Sequence, residues 1–370
     1  MKKVLYTATV LSHICQFHLP HIKMLKEKGY EVHVCARDNL AEKNGLELKY
    51  ADKFINVPFS RSPKSKKNLQ ALKQLKQLFK DEYYDLVICN TPMGGIVTRL
   101  AAKKTRKKGT KVVYMAHGFH FYKGASKKSW MVFYPIEKFF AKKCDAIITI
   151  TEEDYKLASK KFKTKVIRMH GAGVDGERHH CVEEAEKLAL REQLGIKQED
   201  FVCLCIGELN QNKNQKALVS LVPTLKERIP NVKLLLAGNG KTKEELETQI
   251  KELGLEKEVA LIGYQPKIEN YVRAIDVMLS VSKREGLPFN IVEAMLTKKP
   301  VVVSENRGHR ELVKDGVTGF MTNDQKEYVE RIVKLFEDKA LYSEITEKAY
   351  EYAQSYTVKS TTEEFKCILE

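Results

Sequence analysis

The chain lacks several things that would each settle its class at once. Its eight cysteines include no CxxC pair and no Cys/His spacing of a zinc module, which excludes a ribbon or finger fold and points to free thiols in a reducing compartment. No apolar run approaches the ~18 residues a membrane span requires. The opening MKKVLYTATVLS lacks a signal-peptide cleavage pattern and reads as a first strand. There is no DxD, and no His/Asp/Glu group has metal-ligand spacing, so no metal is expected. No helix-turn-helix, RNP or zinc-finger pattern is present, and nucleic acid is not an expected partner.

Positive charge, by contrast, is abundant and uneven. The net charge is +16, yet residues 1–180 carry +20 and the remainder −4. Basic runs such as RSPKSKK, KKTRKK and YKGASKKSW, with EKFFAKK and KLASKKFKTK, interleave lysines with Phe, Tyr and the single Trp130. Each run alone reads as a solvated surface. Together they predict contact with something anionic, and with no nucleic-acid motif an anionic membrane surface is the partner expected of the N-terminal half.

A length of 370 residues exceeds what one core usually supports, so two domains are expected. Six strand patterns alternate with helical ones in the first half: KKVLYTATV, YEVHVCARD, KFINVPF, YDLVICN, KVVYMAH and DAIITIT. A second series follows with FVCLCIG, VKLLLAGNG, EVALIGY, VMLSVS and PVVVS. Alternating strands and helices predict parallel, doubly wound α/β domains. The glycine-, charge- and histidine-rich stretch HGAGVDGERHHCVEEAEKL suits a linker, and its glycines permit hinge dihedrals.

The most informative segment is KREGLPFNIVEAML, where seven residues separate Glu285 from Glu293. It lies between strands VMLSVS and PVVVS, so the glutamates fall in a strand, loop, helix, strand unit. Pro288 fits the first helical position, and Thr297, Lys298, Lys299 and Pro300 stop the helix after Phe289 to Leu296. Glu285 then precedes a helix N-terminus, where backbone N–H groups favour phosphate, and Glu293 lies about two turns in. Two acceptor-only carboxylates beside an anion site make sense if the ligand also carries hydroxyls, as a sugar and a ribose do.

This run, with Gly286, Leu287 and Pro288 after the first acid, resembles the signature of the retaining glycosyltransferases of family 4. The resemblance implies the GT-B architecture: two tandem Rossmann-like domains facing across a cleft, here 1–173 and 174–347, with a final helix of about 348–370 packing back on the first. It implies Glu285 on the sugar hydroxyls near the anomeric centre, Glu293 on the ribose, and Gly286, Leu287, Pro288 and Phe289 around the donor. In GELNQNKNQ, Gly207 and Asn212 line the loop that ends in Lys213, the expected phosphate cation. Glu208 stands where many members have an arginine, which implies either a substitute cation, Arg284 or a residue of the first domain, or a subfamily variant at this position. Tyr264 and Gln265 in GYQPKIENYV are expected near the base, and Asp276 is expected to serve structure. In ENRGHRELVKDGVTGF, Glu311, Gly316 and Gly319 match the family as turn residues, with His309 and Arg310 beside them.

In the first domain, TATVLSHICQFHLP lacks the paired glycines of the family's first loop and offers Ser12 and His13 instead. That feature, with HGFHF at 117–121, resembles a bacterial capsular and exopolysaccharide subgroup. It implies His117 as a contact of the donor sugar, with His120 and His13 on the acceptor side. The expectation is therefore a retaining, metal-independent glycosyltransferase without cofactor. It would move a hexose or N-acetylhexosamine from a UDP-linked donor to a lipid-linked saccharide, at the inner face of the cell membrane. A nucleotide-sugar 2-epimerase shares the architecture, and a nonenzymatic basic binding module would explain the charge but not the C-terminal motifs.

Overall fold

The computed structural model describes residues 1–42 and 45–369. The chain divides into two units, Met1–Gly173 with Val358–Glu370 and Val174–Thr357. It passes from the first to the second at Gly173 and returns at Val358.

Seven strands build the first unit's sheet: β1 (Lys3–Val10), β2 (Glu31–Arg37), β3 (Lys53–Asn56), β4 (Leu86–Asn90), β5 (Lys111–Ala116), β6 (Ala146–Thr149) and β7 (Lys165–Arg168). All pair in parallel, in the order β3-β2-β1-β4-β5-β6-β7. The near-continuous apolar runs of β1, β4 and β5 follow from burial on both sheet faces. One face packs Leu5, Val87, Tyr114 and Phe121; the other packs Tyr6, Ile88, Met115 and Phe365. Phe365 belongs to the last helix, Val358–Leu369, so that helix is part of the first unit's core. The preceding helix, Lys339–Ala353, belongs to the second unit, and the return therefore falls about ten residues later than 348.

Helix Pro92–Ala101 shows why this domain has a Gly-Gly pair. A Cβ on Gly95 would stand 2.5 Å from the Tyr114 ring, and one on Gly94 would stand 2.9 Å from the Thr9 nitrogen. The close approach lets Arg99 bury its guanidinium 3.9 Å over the Tyr114 ring and 3.2 Å from Glu137 Oε2.

In the second unit β8 (Phe201–Ile206), β9 (Val232–Ala237), β10 (Val259–Gly263), β11 (Val277–Ser280), β12 (Val301–Val303) and β13 (Phe320–Met321) form a parallel sheet. Their order is β10-β9-β8-β11-β12-β13. Both sheets therefore reverse direction once, between β1 and β4 and between β8 and β11. Such switch points open a crevice at the carboxyl ends of the strands where ligands bind. Asp276 has the structural role expected: it accepts from Arg191 at 2.6 Å, Lys187 at 3.0 Å and the Val202 N–H at 2.8 Å, fastening the start of β11 to β8.

The sequence reading missed β7 and β13. The first lies in a lysine-rich stretch at a sheet edge, and the second has only two residues, so neither shows a buried strand's apolar run.

Candidate functional site

The loops after β8 and β11 meet at the second unit's switch point, and they carry Lys213 and Glu285. Lys213 Nζ lies 2.7 Å from Glu285 Oε1. Both side chains are mostly covered, with 21% and 14% of their surface exposed. Lys213 does not open a helix; it closes a turn whose Asn210 side chain accepts from the N–H groups of Asn212 (3.0 Å) and Lys213 (2.9 Å). Asn214 follows in the left-handed region, and the helix begins at Gln215. Gly207 lies beneath the lysine stem: a Cβ there would stand 2.9 Å from Lys213 Cε.

The two loops are also stitched together through the backbone. Lys283 N donates to Asn212 O at 2.8 Å, and Asn212 Nδ2 donates to Arg284 O at 3.0 Å. Asn212 is thus a strut of the loop pair, and Arg284 is exposed. Pro288 is extended (φ −79°, ψ 104°) and precedes the helix, which runs Phe289–Leu296, so it caps that helix instead of opening it.

A third loop, after β12, closes the site from below. Asn306 caps helix Arg307–Leu312 by accepting from His309 N at 3.0 Å, and its Nδ2 donates to Ser282 O at 2.8 Å. Gly308 makes the approach possible: a Cβ would stand 2.7 Å from both Glu285 Cβ and Gly286 O. His309 donates from Nδ1 to Ser304 O at 2.6 Å, and burial pushes it down to about 4, so it is neutral. Arg307 is buried, and its guanidinium reaches Glu285 O at 3.5 Å. Sequence reasoning passed over Arg307, a cation beside the Glu285 loop where Glu208 gives none; Glu208 itself is exposed. The only sequence signal was its place after a β-strand.

Glu293 faces a different set of groups. Its Oε1 lies 3.9 Å from His179 Nε2, and burial pushes the carboxyl up to about 7, opposed by the Arg178 charge and helped by that of Glu269. Arg178 is held by Glu269 at 2.8 Å and by Pro266 O at 3.0 Å. Tyr264 is 66% exposed, and the Gln265 amide donates to Ile262 O, so both belong to the turn after β10. Tyr352 donates to Glu311 O at 2.8 Å, tying Glu311 to the second unit's helix Lys339–Ala353.

The first unit assembles its own residues at the other switch point. Ser12 and His13 lie in a short helix, Leu11–Phe17, not in an open loop. Ser12 accepts from Asn39 Nδ2 at 2.9 Å. His13 meets His117 edge-on at 4.5 Å between ring centroids, and His18 at 5.2 Å. Burial, with the Arg61 charge, lowers His13 to about 4, and burial lowers His18 and His117 well below the ordinary range. His120 instead stacks on Phe133 at 4.6 Å. Among the described residues His13, His18 and His117 are the one group of three side chains placed to hold a metal ion. Lys213 and Glu285 thus gather in the second unit and His13 and His117 in the first, whereas Glu293, Tyr264, Gln265 and His120 have other surroundings.

Comparison with known proteins identifies the family and the fold. A family profile described as Glycosyl transferases group 1 matches residues 186–352, and one described as Glycosyl transferase 4-like matches residues 3–151. The putative glycosyltransferase EpsD of Bacillus subtilis (strain 168) is 38% identical over 98% of this chain and 95% of its own. An Escherichia coli protein named UDP-Gal:alpha-D-GlcNAc-diphosphoundecaprenol alpha-1,3-galactosyltransferase is 28% identical over 90% of this chain and 87% of its own. The crystal structure of Anabaena Alr3699/HepE, in complex with UDP and glucose, superposes with a TM-score of 0.79 at 22% identity, covering 100% of this chain and 99% of that one. The chain belongs to the group 1, family 4-like glycosyltransferases and has their GT-B pair of Rossmann-like domains.

Proposed function

We propose that this glycosyltransferase retains anomeric configuration and moves a hexose or N-acetylhexosamine from a UDP-linked donor to a saccharide on a lipid diphosphate. The observation that carries the reading is the Lys213–Glu285 pair at 2.7 Å, set between two strand-end loops and ahead of helix Phe289–Leu296. An arriving diphosphate takes the ammonium from Glu285, and the first-turn N–H groups of the helix share its charge. Glu285, released from the lysine, accepts from sugar hydroxyls near the anomeric carbon. Glu293, whose carboxylate makes no hydrogen bond among the described residues, accepts from the ribose hydroxyls. As the bond to the diphosphate breaks, charge grows on the leaving oxygen, where Lys213 stabilises it more than in the ground state. The departing diphosphate takes the acceptor's proton, and the acceptor attacks the same face. No divalent cation is needed at the diphosphate, because the lysine and helix start supply the positive charge.

The relative from Escherichia coli supports the donor and acceptor classes, since its name carries a UDP-linked sugar and a diphosphoundecaprenol acceptor. A surface of the first unit supports a lipid acceptor independently. On helix Lys127–Ala141, Met131, Val132, Ile136 and Phe139 are exposed at 74, 44, 37 and 56%. At ~100° per residue they fall within about 140° of the circumference. Lys128 falls in the same sector, Lys142 and Lys143 follow the helix's last residue, and Lys103, Arg106 and Lys107 share a groove with those two. Residues 86–136 contain no acidic residue. An apolar stripe rimmed by cations suits a helix lying in an anionic membrane surface, on the cytoplasmic side where nucleotide sugars are found. No helix of the described residues is long and apolar enough to cross a membrane.

The test is transfer from a panel of UDP-sugars to a synthetic saccharide on undecaprenyl diphosphate, with the product anomer read by NMR. An axial, α-configured product from an α-configured donor, at a rate independent of added Mg²⁺ or Mn²⁺, is expected. An inverted product or release of an epimerised nucleotide sugar would refute the proposal.

A further inference from the structure

We propose that His13, His18 and His117 form a zinc-class metal site in the first unit, with three imidazole nitrogens as ligands and a fourth position open to solvent. The residues come from helix Leu11–Phe17, the residue that follows it, and the end of β5. Their chain separation hides any metal spacing, and only the switch point between β1 and β4 brings them together.

One ring nitrogen from each lies within 4.8 Å of those of the other two. His13 Nε2 and His18 Nε2 are 3.4 Å apart. That is longer than the 2.7–3.2 Å of ordinary N–H hydrogen bonds. It matches the edge of a tetrahedron, about 3.3–3.4 Å, drawn around zinc at Zn–N distances of 2.0–2.1 Å.

Two of the three outer nitrogens, those of His18 and His117, have the partners a metal-bound imidazole needs. His18 Nδ1 lies 3.3 Å from Tyr6 Oη, and His117 Nε2 lies 3.2 Å from Asn90 Oδ1. Asn90 donates from Nδ2 to Thr7 O at 3.2 Å, which turns its oxygen toward the histidine and fixes the proton on His117 Nε2. That bond leaves His117 Nδ1 as a lone-pair nitrogen, and Tyr6 Oη, able to accept from His18 Nδ1, is compatible with a lone pair on His18 Nε2. His18 is fully buried, whereas His13 and His117 are partly exposed, so the site has both an anchored floor and an entrance. Neutral imidazoles without a carboxylate suit zinc, nickel and copper, not magnesium or calcium.

Tag-free, chelator-stripped full-length protein would be dialysed against Zn²⁺, with bound metal counted by mass spectrometry, and titrated with Co²⁺ as a spectroscopic probe. One equivalent of Zn²⁺ per chain and the intense visible absorption of tetrahedral Co²⁺ are expected. His13→Ala and His117→Ala should each abolish stoichiometric binding, Tyr6→Phe should weaken it about tenfold or more, and exposed His180→Ala should leave it intact. Because His18 is in the core, His13→Ala is the decisive variant, with circular dichroism to show that it folds. Absence of a stoichiometric equivalent in the wild type, or its survival in folded His13→Ala and His117→Ala, overturns the site.

Discussion

Lys213 and Glu285 are separated by 72 residues in sequence and by 2.7 Å in space. The cation expected to meet the diphosphate and the acid expected to meet the sugar neutralise each other until the donor separates them. Under the proposed function, charge balance at this site becomes a competition between carboxylate and phosphate for one ammonium.

The competition predicts opposite effects on nucleotide affinity. Lys213→Ala should weaken UDP binding about 10- to 100-fold, the value of a charge-assisted hydrogen bond. Glu285→Gln should tighten UDP binding severalfold, because the ammonium no longer has to leave an anion. Both should lower transfer about 100-fold or more. Calorimetry with UDP and a single-turnover transfer assay separate these effects.

Glu293 predicts a pH dependence. Its carboxyl is pushed up to about 7, whereas the ribose hydroxyls favour the ionised form. UDP affinity should fall as pH drops below 7, approaching about tenfold per unit, and Glu293→Gln should flatten that slope. Stability responds with the opposite sign. The folded-state value lies above the unfolded 4.5, so the folded state is favoured at low pH and loses this contribution as pH rises through about 7. Glu293→Gln should therefore be more stable than wild type at pH 8, by about 1–3 kcal/mol, with the gap closing near pH 5. Urea unfolding at the two pH values measures it.

Gly308→Ala tests the fit of the three loops. The added methyl would meet Glu285 Cβ and Gly286 O at 2.7 Å, so the Glu285 loop must shift. A loss of about 1–3 kcal/mol is expected, with a fall in kcat greater than the rise in UDP Kd. Thermal unfolding with steady-state kinetics provides the comparison.

The apolar stripe of helix Lys127–Ala141 predicts membrane partitioning. Met131→Asp and Phe139→Asp should each reduce binding to phosphatidylglycerol vesicles about tenfold or more. Raising salt should weaken the wild type too, and turnover of a soluble acceptor analogue should be unaffected. Vesicle co-sedimentation gives both readings.

Much of the fold was legible because its signals are local. Buried parallel strands such as FVCLCIG and KVVYMAH are continuous apolar runs, and helix Phe289–Leu296 ends where Thr297 to Pro300 stop it. Where the signal was weak, the reading failed: β7 is lysine-flanked, β13 is two residues long, and Pro288 has the same chemistry just before a helix as just inside it. The site was legible as a set of residue types, not as a set of partners. Nothing in the sequence says that Asn212 would be spent on the backbone of Arg284, or that buried Arg307 would lie beneath Glu285.

By itself, the sequence determined the alternation of strands and helices, the uneven charge, and the acids and lysine at strand ends, since each depends on residues a few positions apart. Only the tertiary structure decided that Lys213 pairs with Glu285, that burial raises Glu293, and that three separated histidines share one pocket. The physical reason is topological: a doubly wound sheet places distant strands side by side at its switch point, and the contacts made there follow strand order, not sequence distance.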